Sequence, residues 1–102
     1  MILKKFIIND GDLIMGQVEF HAQLVKDRDE HKTIGGGRWE VDHETNTIYF
    51  FGESTDFGKV TKEEFDAANK QPSLGKMNIV FSDKIFFSDV MKEINEKNCN
   101  NS

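Results

Sequence analysis

Three imidazoles, one thiol and a run of bare backbone are the parts of this sequence that could do chemistry. His21, His31 and His43 lie ten and twelve residues apart, without the close spacing that sets two ligands on one metal. They read as three surface side chains, with His21 on the half-exposed face of a strand, and no metal or other cofactor is expected. Cys99 sits in a polar tail, and no serine stands in a nucleophile turn. Glu19, Glu40 and Glu53 could pair, but a chain with 18 acidic residues always offers carboxylate pairs. No catalytic residue is assigned from these patterns.

Gly35-Gly36-Gly37 is the oddest local feature. Three consecutive residues without Cβ weaken a strand, so something must justify them. One justification is a bend that lets a hairpin curl over its core, the commoner reason for strand glycines. The other is a shallow groove where a ligand or a partner's chain meets bare backbone. In that case the ligand patch is Gly35, Gly36, Gly37, Gly52, Glu53, Asp56 and His21, with Arg38 beside it. A phosphate loop is excluded, because it needs Gly-Lys-Ser/Thr opening a helix and here Arg38-Trp39 opens a strand. Asp56-Phe57-Gly58 matches a kinase tripeptide by chance, since the chain is too short for that fold.

A second patch competes with the first. Arg38, Glu40, Tyr49 and Phe51 share one hairpin face, and aromatic rings with arginine are enriched where proteins bind one another. If a helix covers that face, the rings are ordinary core. If none does, the face is a docking surface.

Those residues must be positioned by short elements. Leu3 to Ile8 is a strand candidate, and Asn9-Asp10-Gly11-Asp12 turns it back as a first hairpin. Ile14, Gly16, Val18, Phe20, Ala22 and Leu24 alternate with polar residues, which predicts one long strand. Arg38-Trp39-Glu40-Val41 and Thr47 to Phe51 flank a turn at Asp42 to Asn46. Pairing Asp42 with Thr47 sets Val41 against Ile48 and Trp39 against Phe50, apolar against apolar. Thr61-Lys62-Glu63-Glu64 is a capping box, with Val60 and Phe65 placed as a hydrophobic staple, and Pro72 stops the helix from continuing. Met77, Ile79 and Phe81 predict another strand, Ile85-Phe86-Phe87 a further short one, and Ser88-Asp89 a capped final helix. The expected fold is α+β: one small domain over residues 1–98 with a frayed tail at 99–102. Its antiparallel sheet has five or six strands built on long hairpins, with short helices at about 62–70 and 89–97.

Composition narrows the function class. The chain has 102 residues, a single domain's worth. Nine phenylalanines supply the apolar volume, against one Trp and one Tyr. The net charge is −5, and only Arg28 and Arg38 carry guanidinium groups, so general nucleic-acid binding is not expected. One cysteine, no signal-peptide pattern and no long apolar run predict a cytoplasmic protein without a membrane span. Abundant lysine, asparagine and isoleucine suggest a bacterial or phage source. The sequence favours a small non-enzymatic interaction module that engages a protein partner or self-associates as a homo-oligomer. The alternative is a small-ligand binder or enzyme using the glycine patch, and an enclosed pocket at that patch would decide for it.

Overall fold

The computed structural model describes residues 2–70 and 76–100, with side chains through Glu96. The stop assigned to Pro72 therefore lies outside the described residues, as do Asn101 and Ser102. Strand β1 (Leu3–Asn9) and strand β2 (Asp12–Val18) form the first hairpin. Asp10 and Gly11 both adopt positive φ (51° and 81°), which a two-residue turn needs to match the twist of its strands. Strand β3 (Thr33–Asp42) and strand β4 (Thr47–Phe51) form the second. Its register pairs Asp42 with Thr47, Val41 with Ile48 and Trp39 with Phe50, as the apolar pattern requires. Asn46 takes the left-handed position of that turn, at φ 54°.

Strand β5 (Asn78–Phe81) completes a five-stranded sheet of order β2-β1-β3-β4-β5. It runs parallel to β4, so the sheet is mixed rather than purely antiparallel. The cause is the long connection from Phe51 to Asn78. It carries helix α1 (Lys62–Ala68) across one face, and a chain that crosses a face returns parallel to the strand it left. The capping box forms: the Thr61 hydroxyl accepts from the Glu64 amide at 3.1 Å, and the Glu64 carboxylate accepts from the Thr61 amide at 2.9 Å. Phe65 then packs beneath the helix against Phe50 (ring centroids 4.7 Å apart), Phe81 (5.0 Å) and Phe6 (6.3 Å). Such ring pairs contribute about 0.5–1.5 kcal/mol each beyond their buried area, which is how a short chain holds its core.

Two expected strands are corrected. The alternation from Ile14 to Leu24 does not run as one strand, because β2 ends at Val18. The Gln23 side-chain oxygen accepts from the Glu19 and Phe20 amides (2.9 and 2.8 Å), taking donors that a ladder would have used. His21–Leu24 forms a 3-10 turn instead and folds back over the sheet. Leu24 drops onto the bare Gly16, where an added Cβ would lie 2.8 Å from Leu24 Cδ2. The strand expected at Ile85-Phe86-Phe87 is likewise absent among the described residues. Phe86 is exposed in a bend, and Phe87 opens helix α2 (Phe87–Asn100), which begins earlier and runs further than expected, through Cys99.

The sheet is covered on both faces. Helix α1 lies on one, over Phe6, Ile8, Ile48 and Phe50. On the other, the 3-10 turn packs Leu24 and Val25 on Ile7, while α2 packs Val90 on Tyr49 and Phe51. Strand β3 runs between these two covers, and its residues on that face are Gly36, Arg38 and Glu40. No helix of the described residues is long and apolar enough to cross a membrane.

Candidate functional site

The 3-10 turn delivers His21 onto the sheet, where it is 7% exposed. Its ring lies over Gly36, and its Nε2–H donates to the Gly37 carbonyl at 2.7 Å. A carbonyl only accepts, so this bond places the neutral ring's proton on Nε2 and the lone pair on Nδ1. Burial pushes the pKa below the usual 6.5; the Gly37 bond opposes this, the Lys5 ammonium adds to it, and the Asp56 carboxylate opposes it. His21 is therefore uncharged at neutral pH, with one nitrogen committed and one able to take a proton.

Around it is a cleft of about 300 Å³, lined by Lys5, Glu19, Phe20, His21, Thr55 and Asp56. Lys5 comes from β1, on the inward face it shares with Ile7. Its ammonium donates to the Glu19 carbonyl and lies 6.0 Å from the Phe20 ring centre. Thr55 and Asp56 come from the loop after β4. That loop is closed by reciprocal backbone bonds between Ser54 and Gly58 (3.1 and 2.8 Å), and the Ser54 hydroxyl accepts from the Phe57 amide at 3.1 Å. The amides of Thr55 and Asp56, in the exposed middle of the turn, have no partner among the described residues.

Lys5 stands directly opposite Arg38 across the β1–β3 pair. Like charges so placed are unfavourable, and an adjacent carboxylate is the usual remedy. Neither cation has one within 4.0 Å among the described residues. Arg38 lies instead 5.9 Å from the Phe51 ring centre, and its Nε is buried without a hydrogen-bond partner. Glu40, the next inward residue, is turned to Lys4 at 3.4 Å.

The glycine run is closed rather than open. Gly35, Gly36, Gly37 and Gly52 are all buried. An ideal Cβ on Gly36 would meet the Phe6 carbonyl oxygen at 2.5 Å, and one on Gly37 would collide with the Phe51 carbonyl oxygen. The bare backbone thus serves close packing of β1, β3 and His21, and Gly52 serves its loop with φ 81°. Of the residues assigned to a ligand patch, His21 and Asp56 line the cleft, Glu53 is exposed outside its lining, and the glycines lie beneath. The docking patch divides too. Tyr49 and Phe51 are 7% and 1% exposed under α2, against Phe87, while Arg38 and Glu40 are half-buried on β3. His31 and His43 are exposed, and no three metal-binding side chains cluster among the described residues.

Lys5, Phe20 and Thr55 are cleft residues that pattern reasoning passed over. The signal for Lys5 was a charge at the inward parity of a strand whose neighbour at that parity is Ile7. A larger cleft of about 450 Å³ beside α1, lined by Lys59, Val60, Thr61, Lys62, Phe81 and Asp83, has no imidazole or thiol in its lining. Compared with models of known protein families, with curated proteins and with solved structures, the chain matches none.

Proposed function

We propose that this chain binds a small anionic ligand, a phosphate or carboxylate, in the His21 cleft, with His21 available to exchange a proton with it. The observation that carries this reading is Lys5, a cation of the cleft lining with no carboxylate within 4.0 Å among the described residues, beside an uncharged imidazole. An anion seated there pairs with the Lys5 ammonium, offsets its repulsion by Arg38 across the β1–β3 pair, and gains charge-assisted hydrogen bonds. Thr55 and Asp56 also line the cleft and bring unpartnered amides and a hydroxyl as neutral donors. A buried imidazole with a fixed tautomer has the attributes of a general base, so the same arrangement suits proton transfer on the bound ligand. A partner-binding role through Arg38, Glu40, Tyr49 and Phe51 would require α2 to leave the sheet first.

Titration of the ¹⁵N-labelled chain with inorganic phosphate tests the reading. Amide shifts are expected at Lys5, His21, Thr55 and Asp56, with affinity falling about tenfold or more in Lys5→Met, as the loss of a charged hydrogen-bond donor predicts. Silence of all four amides at tens of millimolar phosphate would refute it.

A further inference from the structure

We infer that the ligand of the His21 cleft is a zwitterion, carrying a cationic group that faces Asp56 as well as the anionic group that faces Lys5. The inference rests on the anion reading above and goes beyond it by naming what is attached to the anion.

The cleft presents two charges of opposite sign that do not neutralise each other. Lys5 and Asp56 both line it, and they are not within 4.0 Å of one another. Both share the cleft lining with His21 and act on its charge in opposite directions. Asp56 is exposed and has no hydrogen bond or ion pair among the described residues. Glu19 supplies a second carboxylate to the lining, and its backbone carbonyl accepts from the Lys5 ammonium. An acidic side chain with no structural duty in an anion-binding cleft is a handicap unless the ligand also carries a positive charge. A carboxylate at the rim repels a bare phosphate, whereas it attracts a phosphate or carboxylate bearing an alkylammonium group. The closed Ser54–Gly58 turn holds Asp56 in place without using its side chain, which fits a carboxylate kept for the ligand.

Three compounds compared on the whole chain and on Asp56→Asn test this: inorganic phosphate, ethyl phosphate and 2-aminoethyl phosphate, followed by amide shifts. Ethyl phosphate matches the last compound without its cation. The wild type is expected to bind 2-aminoethyl phosphate about two- to fivefold tighter than ethyl phosphate, the scale of an exposed ion pair. In Asp56→Asn the two should bind alike. Equal binding by the wild type, or a preference that survives in Asp56→Asn, would overturn the inference while leaving the anion reading intact. If none of the three moves the cleft amides, the anion reading fails and this one falls with it. Vesicles of phosphatidylethanolamine distinguish the source of the zwitterion. Co-sedimentation lost in Asp56→Asn assigns it to a lipid headgroup, and soluble binding alone assigns it to a free molecule.

Discussion

Replacing Gly36 by alanine tests whether the glycine run exists for packing. The new Cβ would lie 2.5 Å from the Phe6 carbonyl oxygen, 3.1 Å from His21 Cδ2 and 3.2 Å from Ile7 Cγ2. Cβ contacts under 3.0 Å are essentially never seen, so the oxygen contact must open from 2.5 to at least 3.0 Å. The obstacle is backbone in the β1–β3 ladder and cannot rotate aside. Overpacking of this kind costs about 1–3 kcal/mol, and a rigid obstacle puts Gly36→Ala at the upper end, about 3 kcal/mol. Displacing His21 from the Gly37 carbonyl adds about 0.5–1.5 kcal/mol. The control is Gly11→Ala, where nothing lies within 4 Å and only the positive φ is penalised, by about 1–2 kcal/mol. Urea unfolding followed by Trp39 fluorescence reads both. With a slope of about 1–3 kcal/mol per molar, Gly36→Ala should lower the midpoint by about 1 M or more, and by more than the control does. A Gly36→Ala midpoint at or above that of Gly11→Ala would refute the packing account and reopen the glycine run as a ligand surface.

Further outcomes depend on the same geometry. His21 has a depressed pKa, so the unfolded chain binds its proton more readily. Its contribution to stability is complete above pH 6.5 and is lost as the pH falls through the folded-state value. Urea midpoints at pH 7.5 and 5.5 should therefore differ more for the wild type than for His21→Gln, and equal differences would contradict this assignment. Thr61→Ala removes the hydroxyl that caps α1 and should cost about 1 kcal/mol in the same assay, with the Glu64 amide exchanging faster. Val90→Asp sets a charge at a residue 1% exposed between α2 and the sheet. Loss of valine burial alone costs about 2 kcal/mol, and a dye that binds exposed apolar surface should fluoresce once Tyr49 and Phe51 are uncovered. Unchanged dye binding would mean that α2 does not depend on this contact.

Local rules decided much of this protein before any tertiary contact. The β3–β4 register follows from apolar residues at every second position, because a slip of one residue would put Trp39 and Val41 on the face opposite Ile48 and Phe50. The turns at Asp10-Gly11 and Asn46 follow from residues that tolerate positive φ, and the start of α1 from Thr61 and Glu64 three residues apart. Each of these depends on atoms only a few residues distant. The end of β2 was not legible in this way, since alternation continues past Val18 and the Gln23 side chain, not hydrophobicity, takes the Glu19 and Phe20 amides. The direction of β5 was not legible either. A hydrophobic strand reads the same parallel or antiparallel, and only the passage of α1 across one face fixes it. The candidate site is the extreme case. Lys5, His21, Thr55 and Asp56 stand on three separate segments and form no motif along the chain. They meet because Gly36 and Gly37 let His21 and β1 approach β3 closely, and because the Ser54–Gly58 turn folds back beside them. The sequence by itself determined which segments could pair and where they turn. Only the tertiary structure decided that α2 closes the aromatic face and that a cleft opens at His21, because which cover lies on which half of a sheet depends on contacts between distant segments.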